Sequence, residues 1–149
     1  MILQDRLEAK LSDAKNVLVL AVGGGNDSVS SLFLLAQLAQ DFGFNPASVT
    51  IAAMLPDGVD YKDVRTLHPL IHEILPITSR WIGHKRISAF PEPLLAENAE
   101  FLGVERVVGL DMIQGSVGVS KALHHLISTE GFDTVIAVDV GGDFIAVPE

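Results

Sequence analysis

The residues best equipped for chemistry form one run, Gly23-Gly24-Gly25-Asn26-Asp27-Ser28. Glycine has no Cβ, so successive backbone N–H groups can turn inward and surround an oxyanion. A helix starting at Asp27 or Ser28, both natural N-caps, would aim the positive end of its dipole at the same point. Together these features describe a cradle for a small anionic ligand, either phosphate or carboxylate. A tight turn with glycines for packing alone is the structural alternative. Three consecutive glycines forgo about 0.5–1 kcal/mol each relative to alanine, and a plain strand-to-helix turn needs about one. The run is not a Walker A loop, because no Gly-Lys-Ser/Thr follows, and Ser28 stands where a GxGxxG pattern needs its last glycine.

A second loop, Gly141-Gly142, lies near the other end of the chain between Asp139 and Asp143. Asp27, Asp57, Asp111, Asp139 and Asp143 each fall at or just past the end of an apolar run of strand length. Carboxylates gathered on one edge repel one another unless a cation or a ligand's donors compensate. Oxygen-only donors select a hard ion such as Mg²⁺. Asp27, Asp139 and Asp143 are the expected metal ligands. Gly23, Gly24, Gly25, Asn26, Asp27, Ser28, Gly141 and Gly142 are the expected ligand-binding residues. Each aspartate taken singly also fits a loop or helix cap.

Other reactive types offer less. Cysteine is absent, which excludes disulfides, thiolate-held metals and thiol catalysis. His68 and His72 have a zinc-clamp spacing, but Pro69 breaks any helix between them. His124 and His125 border an apolar helical stripe. Arg80, Trp81, His84, Lys85 and Arg86 form a basic cluster that suits a substrate phosphate or a solvated hairpin. Ser120 and Lys121 show no nucleophile-elbow or triad spacing.

These loops need elements to position them. Leu3, Leu7 and Leu11 mark a short amphipathic N-terminal helix. Asn16–Val22 is a near-continuous apolar run, as in a strand covered on both faces. Val29, Leu32, Phe33 and Ala36 predict the apolar stripe of a helix ending at Gly43, and a strand follows over Val49–Leu55. Between Pro56 and Pro93 prolines fragment the pattern, with short strands expected at Leu70–Ile77 and Arg86–Phe90. A helix from Pro93 carries Leu94, Leu95, Asn98, Phe101 and Leu102 and stops at Gly103. A strand over Arg106–Leu110 ends at Asp111. Val119, Ala122, Leu123, Leu126 and Ile127 give the clearest helix, stopped by Gly131, and Thr134–Val138 is the last strand. The alternation predicts one α/β domain over residues 1–149: three layers, doubly wound, with a mostly parallel, Rossmann-like sheet.

Net charge of −9 argues against nucleic acid as a partner. No apolar run nears the roughly 20 residues of a membrane span, and Asp5, Glu8 and Asp13 in the first fifteen residues fit no targeting peptide. A cytoplasmic location is therefore expected. An apolar content of 48% and mean hydropathy of +0.38 point to strands buried on both faces, a homo-oligomer interface, or both.

The loop resembles the Ser-Gly-Gly-x-Asp-Ser loop of the ATP-pyrophosphatase class. Gly24, Gly25, Asp27 and Ser28 match, while Gly23 replaces the serine and so removes one hydroxyl donor. Combined with Gly115-Ser116-Val117-Gly118-Val119 leading into Ala122-Leu123-His124-His125-Leu126, and with Val138-Asp139-Val140-Gly141-Gly142-Asp143, the chain resembles an uncharacterised domain-of-unknown-function family of archaea and bacteria. Members of that family are typically about twice this length, so the resemblance implies an N-terminal half; it implies no activity. The last element is also similar to the phosphate loop of sugar kinases and actin-like ATPases, with Asp143 in place of threonine. The leading expectation is a nucleotide- or phosphometabolite-binding domain that takes a ligand such as ATP with Mg²⁺ and, as an enzyme, acts on phosphate bonds. The alternatives are a non-catalytic binding or oligomerisation module, and half of an enzyme completed by a further C-terminal region.

Overall fold

Four apolar runs form the parallel heart of the sheet. The computed structural model describes residues 3–23, 26–55, 64–76 and 92–140. In chain order the elements are α1 (Leu3–Asp13), β1 (Val17–Ala21), α2 (Asn26–Phe42), a 3-10 turn (Pro46–Ser48), β2 (Val49–Leu55), β3 (Val64–His68), β4 (Ile71–Ile74), α3 (Glu92–Phe101), β5 (Arg106–Asp111), α4 (Gly115–Glu130) and β6 (Thr134–Val138). The sheet order is β3-β4-β5-β2-β1-β6. Strands β5, β2, β1 and β6 run parallel, whereas β4 is antiparallel to β5 and β3 to β4. The fold is α/β and Rossmann-like, with a mixed, mostly parallel sheet.

Topology dictates the layers. The chain steps from β1 to β2 in one direction and from β5 to β6 in the other. Parallel crossovers share one hand, so α2 and α4 must cover opposite faces. They do. Val17 and Val19 of β1 pack with α1, α2 and α3 through Leu11, Leu35, Leu38 and Leu95. Leu18 and Leu20 face the other way, against Ala122 and Leu126 of α4. Every residue of β1 is buried, which explains its lack of alternation, and each of its large side chains contributes about 1.5–3 kcal/mol by leaving water. Gly131 closes α4 in the left-handed region at φ 68° and donates its N–H to the Ile127 carbonyl, a conformation costly for any residue with a Cβ.

Three local expectations change. Of the Val29, Leu32, Phe33 and Ala36 stripe of α2, Leu32 packs partly buried against the core, while Val29 and Phe33 are exposed and the buried positions of that helix are Asp27, Ser28, Ser31, Leu35 and Leu38. Small serines on the sheet side turn the larger apolar side chains outward. Phe33 is 73% exposed and Phe101, expected on the α3 core stripe, 95%. The strand expected at Leu70–Ile77 is β4, and it forms the second arm of a hairpin whose first arm, β3, the pattern did not predict, with Pro69 and Leu70 in the turn. Helix α4 begins at Gly115, one turn before the apolar stripe. The strand expected at Arg86–Phe90 lies outside the described residues. Among the described residues no helix is long and apolar enough to cross a membrane.

Candidate functional site

The switch in winding direction fixes where a ligand would sit. β2 lies on one side of β1 and β6 on the other, and the chain leaves in opposite directions from the two pairs. In open α/β sheets the crevice beyond the carboxyl ends at such a point is the customary binding place. Ala21 and Val138 are the last paired residues of β1 and β6. One further bond, Val22 N–H to the Val138 carbonyl at 3.0 Å, carries the pairing into the loops. The turns after β1 and β6 therefore start side by side, as the sequence reading requires.

Asp27 ties them together. Its side chain is 4% exposed. Oδ2 accepts the Gly23 N–H at 2.6 Å and Oδ1 accepts the Val140 N–H at 3.2 Å, across 113 residues of chain. A carboxylate in the first turn of α2 also complements the helix dipole. The aspartate thus lies inside the helix and acts as a latch between two loops. It also explains Gly23, because a Cβ there would lie 2.6 Å from Asp27 Oδ2. The serine of the ATP-pyrophosphatase loop would not fit without moving this carboxylate.

Two hydroxyls follow in α2. Ser31 Oγ donates to the Asp27 carbonyl at 2.8 Å. Ser28 is fully buried, and its Oγ has no hydrogen-bond partner among the described residues. Buried hydroxyls are normally satisfied, since leaving one bare costs about 1–3 kcal/mol. An unsatisfied hydroxyl in the first turn of the helix that opens at the switch point is the strongest local sign of a ligand. Its type and position were readable in the sequence; its isolation was not.

Asn26 is exposed at the start of α2, and Asp139 is exposed just beyond β6. Gly24, Gly25, Gly141, Gly142, Asp143, Asp57 and the basic cluster of residues 80–86 lie outside the described residues. Asp111 ends β5, two strands from β1, or about 10 Å at normal strand spacing. A cation at Asp27 would compete with two amide donors for its oxygens. Among the described residues no group of three or more His, Asp or Glu could hold a metal.

A second polar array lies toward the hairpin edge. Thr66 Oγ1 meets His72 Nδ1 at 3.1 Å, and His72 Nε2 faces Asp111 Oδ2 at 3.7 Å. Asp111 Oδ1 accepts the Ile113 N–H at 2.8 Å. The 3.7 Å gap exceeds a hydrogen bond and becomes an ion-pair contact only when the ring is charged. Thr66 went unnoticed in the sequence because β3 lacks an apolar alternation. His68 stacks on His125 with ring centroids 4.3 Å apart, which joins the hairpin turn to α4 and gives both histidines a packing role.

A family model described as protein of unknown function (DUF1152) matches residues 18–149. The chain belongs to the DUF1152 family. This agrees with the resemblance seen in its glycine and aspartate loops. The matched span begins in β1 and takes in both loops that Asp27 joins. No match was found among curated proteins or solved structures.

Proposed function

We propose that this domain binds a small phosphate-bearing anion, a nucleotide or phosphometabolite, at the β1–β6 switch point. The observation carrying this reading is the Ser28 hydroxyl, buried and unpartnered where α2 begins. Ser28 Oγ–H would donate to a ligand oxygen, and the free N–H groups of the first turn of α2 would add the helix's positive end. Asp27 would hold the two loops in register for the ligand while taking the Gly23 and Val140 amides for itself. Its negative charge keeps the anion away from Gly23 and toward Ser28. Magnesium would arrive with the ligand's phosphates, one exposed carboxylate, Asp139, serving as its protein contact, which is how this ion commonly binds. Phosphate-bond transfer or hydrolysis is the chemistry such a site favours, and a cytoplasmic setting suits a chain without cysteine.

Thermal denaturation with inorganic phosphate, AMP and ATP, each with and without Mg²⁺, tests the reading. A ligand at about 100 times its Kd stabilises by about 2.7 kcal/mol, which moves the midpoint of a domain this size by about 5–10 °C. Ser28→Ala should weaken the binding about tenfold while leaving the free protein at least as stable as wild type. No shift with any anion would identify the latched loops as structural and favour the binding-module alternative.

A further inference from the structure

The polar array at the hairpin edge sets a hydroxyl, an imidazole and a carboxylate in sequence. Thr66 Oγ1 lies 3.1 Å from His72 Nδ1, and His72 Nε2 faces Asp111 Oδ2 at 3.7 Å. Asp111 is fixed in turn, its Oδ1 accepting the Ile113 N–H at 2.8 Å. The sheet explains the alignment. Thr66 and His72 are direct cross-strand partners, so their side chains share one face. Opposite His72 on β5 is Gly109, which has no side chain to part the ring from Asp111 two residues on. Asp111 ends β5. The array therefore sits at the carboxyl edge of the parallel strands, where α/β sheets place their ligands.

The donors and acceptors settle where the protons lie. An ionised carboxylate only accepts, so the neutral ring turns its N–H, at Nε2, toward Asp111. Nδ1 is then the bare nitrogen, and Thr66 is the donor to it. The threonine proton points at a base while its oxygen stays open to solvent, because Thr66 is exposed and His72 is half-buried behind it. A cross-strand bond made for the hairpin alone needs no carboxylate beyond the ring. Hydroxyl, imidazole and carboxylate in this order activate nucleophiles on unrelated folds, and such contacts are often loose until a substrate binds. Two features hold the threonine in place. The β3–β4 register shifts between Thr66 and His68, an irregularity of the kind that re-aims a side chain. His68 then stacks on His125 and ties the hairpin turn to α4.

Charge narrows the substrate. The chain carries a net charge of −9, and Arg65, the cation of β3, is paired with Glu73. An anionic ester would meet Asp111 with that cation already engaged, whereas a neutral one meets no such repulsion. Met112 and Ile113, directly after Asp111, are exposed and offer apolar surface to an acyl chain.

We infer that Thr66, His72 and Asp111 form a nucleophilic relay that hydrolyses neutral carboxylic esters. Thr66 Oγ1 attacks the ester carbonyl carbon and its proton passes to His72 Nδ1. The charged ring closes on Asp111 as an ion pair. The bond to the alcohol oxygen breaks, and the alcohol leaves with the proton from Nδ1. Water then adds to the acyl-threonine, again giving its proton to Nδ1, and the carboxylic acid departs as that proton returns to Thr66. β3 lies four strands from β1, about 19 Å at normal spacing, so this relay and the Ser28 site can fail independently.

Hydrolysis of p-nitrophenyl butyrate and labelling by diisopropyl fluorophosphate test the relay. Wild type should release nitrophenolate, and the label should replace fluoride with the Thr66 oxygen, as peptide mass spectrometry would locate. Thr66→Val, His72→Gln and Asp111→Asn should each lower the rate by about 100-fold or more, while Thr66→Ser retains both turnover and label. Thr66 is exposed, so Thr66→Val should keep the circular dichroism of wild type. His124→Ala, an exposed histidine of α4 outside the array, should turn over at the wild-type rate. A wild type that neither cleaves the ester nor takes the label on Thr66 would overturn the proposal. So would full activity in Thr66→Val, even with His72→Gln inactive, because the ring would then act without the threonine.

Discussion

Helices α2 and α4 both begin at the carboxyl edge of the parallel strands, on opposite faces of the sheet, yet their first turns are built differently. In α2 the turn buries Asp27 and Ser28, the aspartate bonded to two backbone amides and the serine hydroxyl bare beside it. In α4 it is exposed, contains no acidic residue, and follows Gln114, which makes no side-chain capping bond. Both helices offer the same dipole and the same unsatisfied N–H groups. In α4 the Gly115 N–H donates to the Met112 carbonyl at 2.8 Å, while α2 has its charge balanced from within and couples two loops through it. A helix end alone is therefore not a binding site. What distinguishes α2 is enclosure at the switch point together with a polar atom left without a partner.

The largest expected effect comes from removing the latch. Asp27→Ala should cost about 2–4 kcal/mol, since two charge-assisted bonds vanish and two amides lose their acceptor. Urea denaturation measures it, and a loss below about 0.5 kcal/mol would mean that Asp27 does not join the loops. The reciprocal change is smaller and of opposite sign. Gln114→Asp should stabilise α4 by about 0.3–1 kcal/mol, an increment that salt should erode because this end is exposed. If both substitutions moved stability alike, the contrast between the two helix ends would collapse.

The smallest effect concerns a carboxylate far from either helix start. Asp133 Oδ2 accepts the N–H of Lys15 at 2.9 Å and of Asn16 at 3.1 Å. The Lys15 amide is the chief reason its carboxyl is held below the usual range. Its value in the folded protein is thus lower than in the unfolded chain. The stabilisation is complete above the unfolded value and disappears as pH falls through the folded one. The stability difference between wild type and Asp133→Asn should therefore shrink below about pH 4. A difference that stayed constant into strong acid would show that the two amides do not select the charged form.

Legibility in the sequence followed the range of the interactions involved. β1, β2 and β5 were readable because burial on both faces makes a strand apolar throughout, and β6, a half-exposed edge strand, because its run of Val, Ile and Ala is of strand length. The glycine loop and its aspartate were readable as residue types, but the role of Asp27 was not, since its second partner lies 113 positions away. β3 escaped because it carries Arg65 and Thr66 in place of an apolar alternation, whereas its partner β4 falls within the strand expected at Leu70–Ile77. Phe33 and Phe101 were misplaced for a simpler reason. A helical stripe reveals that a helix has an apolar side; in α2 small serines took the sheet-facing positions, and Phe101 stands at the last residue of α3, past its buried positions.

One consequence of the strand order concerns assembly of the chain. β1 is made before its first neighbour, β2, yet its second neighbour, β6, follows only after β3, β4 and β5. Until residues 134–138 arrive, one edge of the most buried strand has no hydrogen-bonding neighbour, and Gly23 faces an aspartate not yet fixed by Val140. Completion therefore waits on a contact of very long sequence separation, the kind that slows folding and leaves intermediates open to mispairing. Molecules interrupted before β6 should be the ones that aggregate.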